Sequence, residues 1–86
     1  MSWRVEFTKS AAKELRALPK GVRARIRAAI EEKLLPDPRA HLLPLHGDRR
    51  GFCKFRVGSY RLLCRREDEV LLVLVVKLAH RREAYR

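Results

Sequence analysis

The chain opens with a strict alternation. Trp3, Val5 and Phe7 are apolar, and Arg4 and Glu6 between them are charged, which predicts a short strand with one buried face. The period then changes. Ala11, Ala12, Leu15 and Leu18 fall on one side of a helix, with Lys9, Lys13, Glu14 and Arg16 on the other. Thr8 or Ser10 can cap its start, and Pro19 and Gly21 end it. A second helix follows from the spacing of Val22, Ile26, Ala29, Ile30 and Leu34, with Lys33 the one charge in the stripe. Arg23, Arg25, Arg27, Glu31 and Glu32 face outward. From Pro36 to Gly51 the chain is rich in Pro, His, Asp and Gly and reads as a connecting loop, tacked down by Leu42, Leu43 and Leu45.

The second half is β in character. GFCKFRV, Gly58-Ser59 and YRLLCRR form a strand, a two-residue turn and a strand. A turn at Glu67 to Glu69 leads into VLLVLVVKLAH. Its run from Val70 to Val76 suggests a strand covered on both faces, near the sheet centre. The tail HRREAYR is polar. The order β-α-α-β-β-β predicts one α+β domain over residues 1–86, a helical hairpin on one face of a small, mainly antiparallel four-stranded sheet.

A two-residue turn fixes register. Val57 should oppose Tyr60, Arg56 Arg61, Phe55 Leu62, and Cys53 Cys64. Because side chains alternate, one face of the hairpin carries Cys53, Phe55, Val57, Tyr60, Leu62 and Cys64, an apolar set suited to the helices. The other carries Lys54, Arg56, Arg61, Leu63 and Arg65, four cations with no anion. Arg56 directly across from Arg61 costs roughly a few tenths to 1 kcal/mol. A bound anion would offset that cost, and backbone phosphate is the obvious candidate. The competing reading is a solvated face whose arginines fan apart into water.

Charge sharpens the first reading. Among 86 residues there are 21 Lys and Arg against 10 Asp and Glu, a formal net charge of +11. Arg grips phosphate with paired hydrogen bonds. Such a balance points to nucleic acid first, an acidic protein second and an anionic membrane surface third. The longest apolar run is too short to span a bilayer, no signal segment is evident, and the cytoplasm is the expected location. Two cysteines make no disulfide framework; facing the core, Cys53 and Cys64 read as small hydrophobes. His41, His46 and His80 stand at no ligand spacing with them, so no metal site and no cofactor are expected.

If the last strand pairs with Tyr60 to Arg66, its end returns to the cation cluster and brings His80, Arg81 and Tyr85 toward Arg61 and Lys54. RNA cleavage by its own 2′-hydroxyl needs a proton acceptor, a stabiliser for the phosphorane-like transition state and a proton donor to the leaving oxygen. Arg61 and Arg81 suit stabilisation; Lys54, His80 and Tyr85 are candidates for the proton transfers. Arg56, Arg65 and Arg82 are candidates for gripping the RNA backbone. For His80, Tyr85 and Arg82 the plain alternative is a strand-end or surface side chain.

The early strand and helical hairpin, LHGDRRGFCKFRVGSYRLLCR, EVLLVLVVKLAHRR and the final Tyr85 together resemble the RelE/ParE superfamily of toxin–antitoxin toxins across essentially the whole chain. The RelE branch implies a metal-independent endoribonuclease that cuts messenger RNA in the ribosomal A site, and a RelB-like antitoxin that covers the basic face. Lys54, Arg61, Arg81 and Tyr85 match that branch's catalytic pattern, and Arg56 a basic position on the same strand. The sequence departs from the pattern at Phe52, where a second lysine would stand, and places His80 where a lysine can occur. The ParE branch shares the fold and implies poisoning of DNA gyrase instead. The joint presence of Lys54, Arg61, Arg81 and a C-terminal tyrosine favours the RelE branch.

Overall fold

The computed structural model describes residues 2–45 and 51–80. The first strand, β1 (Arg4–Phe7), runs directly into α1 (Lys9–Arg16). Thr8 is the cap: its hydroxyl accepts a hydrogen bond from the Ala11 amide at 3.1 Å, satisfying an amide that the helix itself leaves unpaired. Helix α2 (Lys20–Ala29) continues without a break into a wide π turn over Ile30–Leu34, closed by the Leu35 amide donating to the Ile30 carbonyl at 2.8 Å. Ile26, Ile30 and Leu34 are buried along this continuous helical segment.

The stretch read as a loop holds two short elements. Asp37 caps a single turn, α3 (Pro38–His41), accepting from the Ala40 amide at 3.3 Å, with Pro38 at the position where a missing N–H costs nothing. Leu43–Pro44 then forms a two-residue strand, β2, against β3 (Cys53–Val57). The sheet is therefore five-stranded, in the order β1-β5-β4-β3-β2. Two residues are too few to show alternation, which is why the pattern counted four strands. Of the three leucines expected to anchor this segment, Leu42 is buried, Leu45 is half-buried and Leu43 is exposed opposite Lys54.

Strands β3 and β4 (Tyr60–Glu67) pair in the expected register, Val57 to Tyr60 through Cys53 to Cys64. Gly58 supplies φ +56° at the turn, a backbone region that favours glycine. A 3₁₀ turn at Asp68–Val70 and Leu71, at φ +50°, lead into β5 (Leu72–His80). Val70 is exposed, so the apolar run enters the strand two residues later than its composition suggests. β5 lies between β1, to which it runs parallel, and β4, to which it runs antiparallel. The helices cover one of its faces only. Val73, Val75 and Leu78 are buried, whereas Leu72, Leu74 and Val76 are half-buried.

A bulge interrupts the β4–β5 ladder. Leu63 pairs with Lys77 and Cys64 with Val75, so Val76 is the extra residue. Straight alternation from Val73 and Val75 would send Lys77 into the core. The bulge shifts the phase, so Leu78 is buried instead and Lys77 is exposed. Past the end of β1, the Thr8 hydroxyl lies 3.4 Å from the Val76 carbonyl, and the Leu78 amide donates to the Glu14 carboxylate at 3.3 Å. Helix α1 thus supplies partners that β1 is too short to provide.

Deleting Val76 should be tolerated, because it is the one residue of the strand without a partner on β4. Val76→Ala keeps the bulge and should cost about 1 kcal/mol, whereas the deletion removes only the extra residue, leaves Lys77 opposite Leu63 and Leu78 in the core, and should preserve cooperative unfolding in urea. Leu62→Ala, at a fully buried position, should cost ~2–5 kcal/mol in the same measurement.

Candidate nucleic-acid interface

The helices pack on one face of the sheet, and among the described residues no helix covers the opposite, open face. Register places the open-face side chains in rows across the strands. Arg56, Arg61 and Ala79 form one row, and Lys54, Leu63 and Lys77 the next. Arg65 stands beside Leu74 in a third. Five cations from three strands therefore share this face with a band of half-buried leucines. Arg56, Arg65 and Lys77 are exposed; Lys54 and Arg61 are half-buried.

Carboxylates on this face sit at its margins. Glu6 pairs with Arg4 at 2.8 Å, and Glu67 with Arg65 at 3.7 Å. Lys54, Arg56 and Lys77 form no ion pair with any carboxylate among the described residues. The Arg65 guanidinium also lies over the Phe52 ring, 5.6 Å from its centroid. Phe52 thus holds an arginine at the border of the cation cluster by a cation–π contact.

Lys77 was missed by sequence reasoning. Its position in an apolar run reads as a charge at the strand's end, and only the bulge brings it beside Leu63 and Lys54. His80 is the converse. The sequence reading brings it toward Lys54 and Arg61, but the structure sets it on the helix side. There it meets Tyr60 edge-on, with ring centroids 5.1 Å apart. Both rings line a cleft of about 430 Å³ with Glu14, Ala17, Leu18 and Leu78. The physical reason is again the bulge, which reverses the phase of residues 77–80. Arg81, Arg82 and Tyr85 lie outside the described residues.

This geometry can be set against known proteins. Residues 5–85 match the family model of the ParE toxin of the type II toxin–antitoxin system parDE. Over its whole length the chain is 36% identical to Toxin RelG of Mycobacterium tuberculosis, covering 99% of that protein. The chain belongs to the RelE/ParE family of type II toxins. Its fold superposes on the crystal structure of the RelBE2 toxin–antitoxin complex from M. tuberculosis with a TM-score of 0.86 and 31% identity, covering 94% of this chain and 100% of that one. The Escherichia coli RelBE complex gives 0.73 at 27% identity, covering 91% and 95%. The α+β class of this RelE/ParE toxin agrees with both. Among its described residues no helix is long and apolar enough to cross a membrane.

The opposed Arg56 and Arg61 give a direct test of the interface. Arg56→Gln should raise the stability of the free toxin by a few tenths to about 1 kcal/mol at low salt. A short polyphosphate should raise the melting temperature of the wild type more than that of the variant. Calorimetry at two ionic strengths measures both effects.

Proposed function

We propose that this toxin is a ribosome-dependent endoribonuclease that cleaves messenger RNA by attack of a 2′-hydroxyl on the adjacent phosphate. The supporting observation is the convergence of Lys54, Arg56, Arg61 and Lys77 from three strands on one open face. In this reaction the 2′-oxygen forms a bond to phosphorus, and the bond from phosphorus to the 5′-oxygen breaks. One group takes the 2′ proton and another returns a proton to the leaving oxygen. Arg61 and Arg81 stabilise the charge that builds on the phosphoryl oxygens. Lys54 and Tyr85 serve the proton transfers, and Arg56, Arg65 and Arg82 hold the flanking backbone. His80, on the other face against Tyr60, is left out of this set. No step calls for a metal or cofactor. The place of action is the cytoplasm, at the ribosomal A site.

The partner that silences the toxin is proposed to be a RelB-like antitoxin, in keeping with the RelBE complexes of similar fold. An acidic, amphipathic segment matches a face where leucines alternate with cations. A second reading has a specific motive, because the family model matched is that of ParE. In that reading the same cations serve a gyrase poison that cuts no RNA.

Three experiments separate these readings. Toxin added to a translation reaction should produce codon-phased message ends, and only with ribosomes present. Gyrase-dependent DNA breaks with intact message would favour ParE. Arg61→Ala and Arg81→Ala should each slow cleavage on the order of a hundredfold. Lys54→Met should slow cleavage by a comparable factor while leaving ribosome binding within about twofold, since one point charge contributes little to a large charged interface. Wild-type cleavage by all three variants would refute the assignment. Antitoxin affinity should fall as salt rises, measured by titration at two ionic strengths.

A further inference from the structure

The two cysteines are direct cross-strand partners, with Cys53 on β3 opposite Cys64 on β4. Both side chains point to the helix side of the sheet. Counting from the two-residue turn, they form a hydrogen-bonded pair, for which Cα atoms lie ~5.5 Å apart. That separation falls within the range a disulfide spans. Their surroundings differ sharply. Cys64 is completely buried, its Sγ 3.6 Å from the Leu62 carbonyl. Burial, and then the neighbouring Cys53, push its thiol up to about 12. Cys53 is half-buried and lines a cleft of about 450 Å³ with Arg39, Leu42, Phe52 and Arg66.

That cleft has a positive rim. Arg66 donates to Asp68 at 2.7 Å and Arg39 approaches the same carboxylate at 3.6 Å, so two guanidinium groups share one anion. One thiol thus opens onto a cationic cleft and the other is sealed behind it. We propose that Cys53 is a thiol-exchange site for small anionic disulfides, and that Cys64 resolves the adduct into an intramolecular Cys53–Cys64 bridge.

The chemistry balances in two steps. The Cys53 thiolate attacks one sulfur of the incoming disulfide, forming a mixed disulfide and releasing one small thiol. Cys64 gives up its proton, attacks the Cys53 sulfur and releases the second small thiol. Two protein thiols are oxidised by two electrons, and one small disulfide is reduced to two thiols. The order is fixed by access. Cys64 cannot meet a solvent-borne oxidant, but it lies beside Cys53, and proximity offsets its weak acidity. The bridge would tie β3 to β4 one residue from Lys54, on the opposite side of the sheet. The inference does not depend on the proposed nuclease activity.

Oxidised glutathione is the anionic probe and cystamine the cationic control, each applied to the purified full-length toxin under native conditions. Peptide mapping by mass spectrometry after alkylation should find a Cys53–Cys64 link, formed at least severalfold faster with glutathione than with cystamine. Dithiothreitol should reverse it. Cys64→Ala, or Cys64→Val if the alanine variant is unstable, should stop at a glutathione adduct on Cys53. Cys53→Ala should leave Cys64 unmodified. Two free thiols after prolonged exposure, bridges only between molecules, or modification of Cys64 in the Cys53→Ala variant would each overturn the proposal. Equal rates with the two disulfides would remove the anion preference.

Discussion

Side chains alternate along a strand, so the two faces of the β3–β4 hairpin cannot be chosen independently. Phe55, Val57, Leu62 and Cys64 are buried against the helices. Slipping the pairing by one residue would put every one of them in water and every cation in the core. Apolar burial on one side therefore holds Arg56 against Arg61 on the other, despite their repulsion. Burying a Leu or Phe side chain contributes about 1.5–3 kcal/mol, against under 1 kcal/mol for a like-charged cross-strand pair. The core wins, and the two arginines stay opposed. In this toxin the buried apolar set and the row of cations behind it arise from one register.

How much of this was legible beforehand varies from element to element. The hairpin register followed from Gly58-Ser59, because a two-residue turn leaves one pairing. The two helices followed from stripes of Ala, Leu and Ile at helical spacing. β2 and α3 escaped because elements of two and four residues carry no period, although Asp37-Pro38 does hold a cap signal. The burial of β5 was overestimated, since a continuous apolar run is equally compatible with one covered face and one half-covered face. Strand pairing sets His80 near the cations without fixing the face its side chain takes, and a bulge leaves no local mark in LVLVVKLAH. The same omission hid Lys77.

The termini of the elements explain how the open face keeps its shape. β1 stops at Phe7 while β5 continues to His80. The exposed edge left behind is met by Thr8 and Glu14, both from the α1 segment. Helix α1 thus braces the end of the strand that leads into Arg81. At the opposite edge β2 pairs with β3, and Phe52 steadies Arg65. The cations stand on braced strands, not on loops, and a preorganised face loses less entropy when it captures a charged chain.

The extra residue at Val76 divides the final strand into two segments of opposite parity. The upstream segment buries Val73 and Val75, and the downstream segment buries Leu78 while turning Lys77 outward. An uninterrupted alternation through the same residues would bury Lys77 and expose Leu78. A single inserted amino acid thereby reconciles an interior leucine and an exterior lysine that stand side by side in one continuous strand.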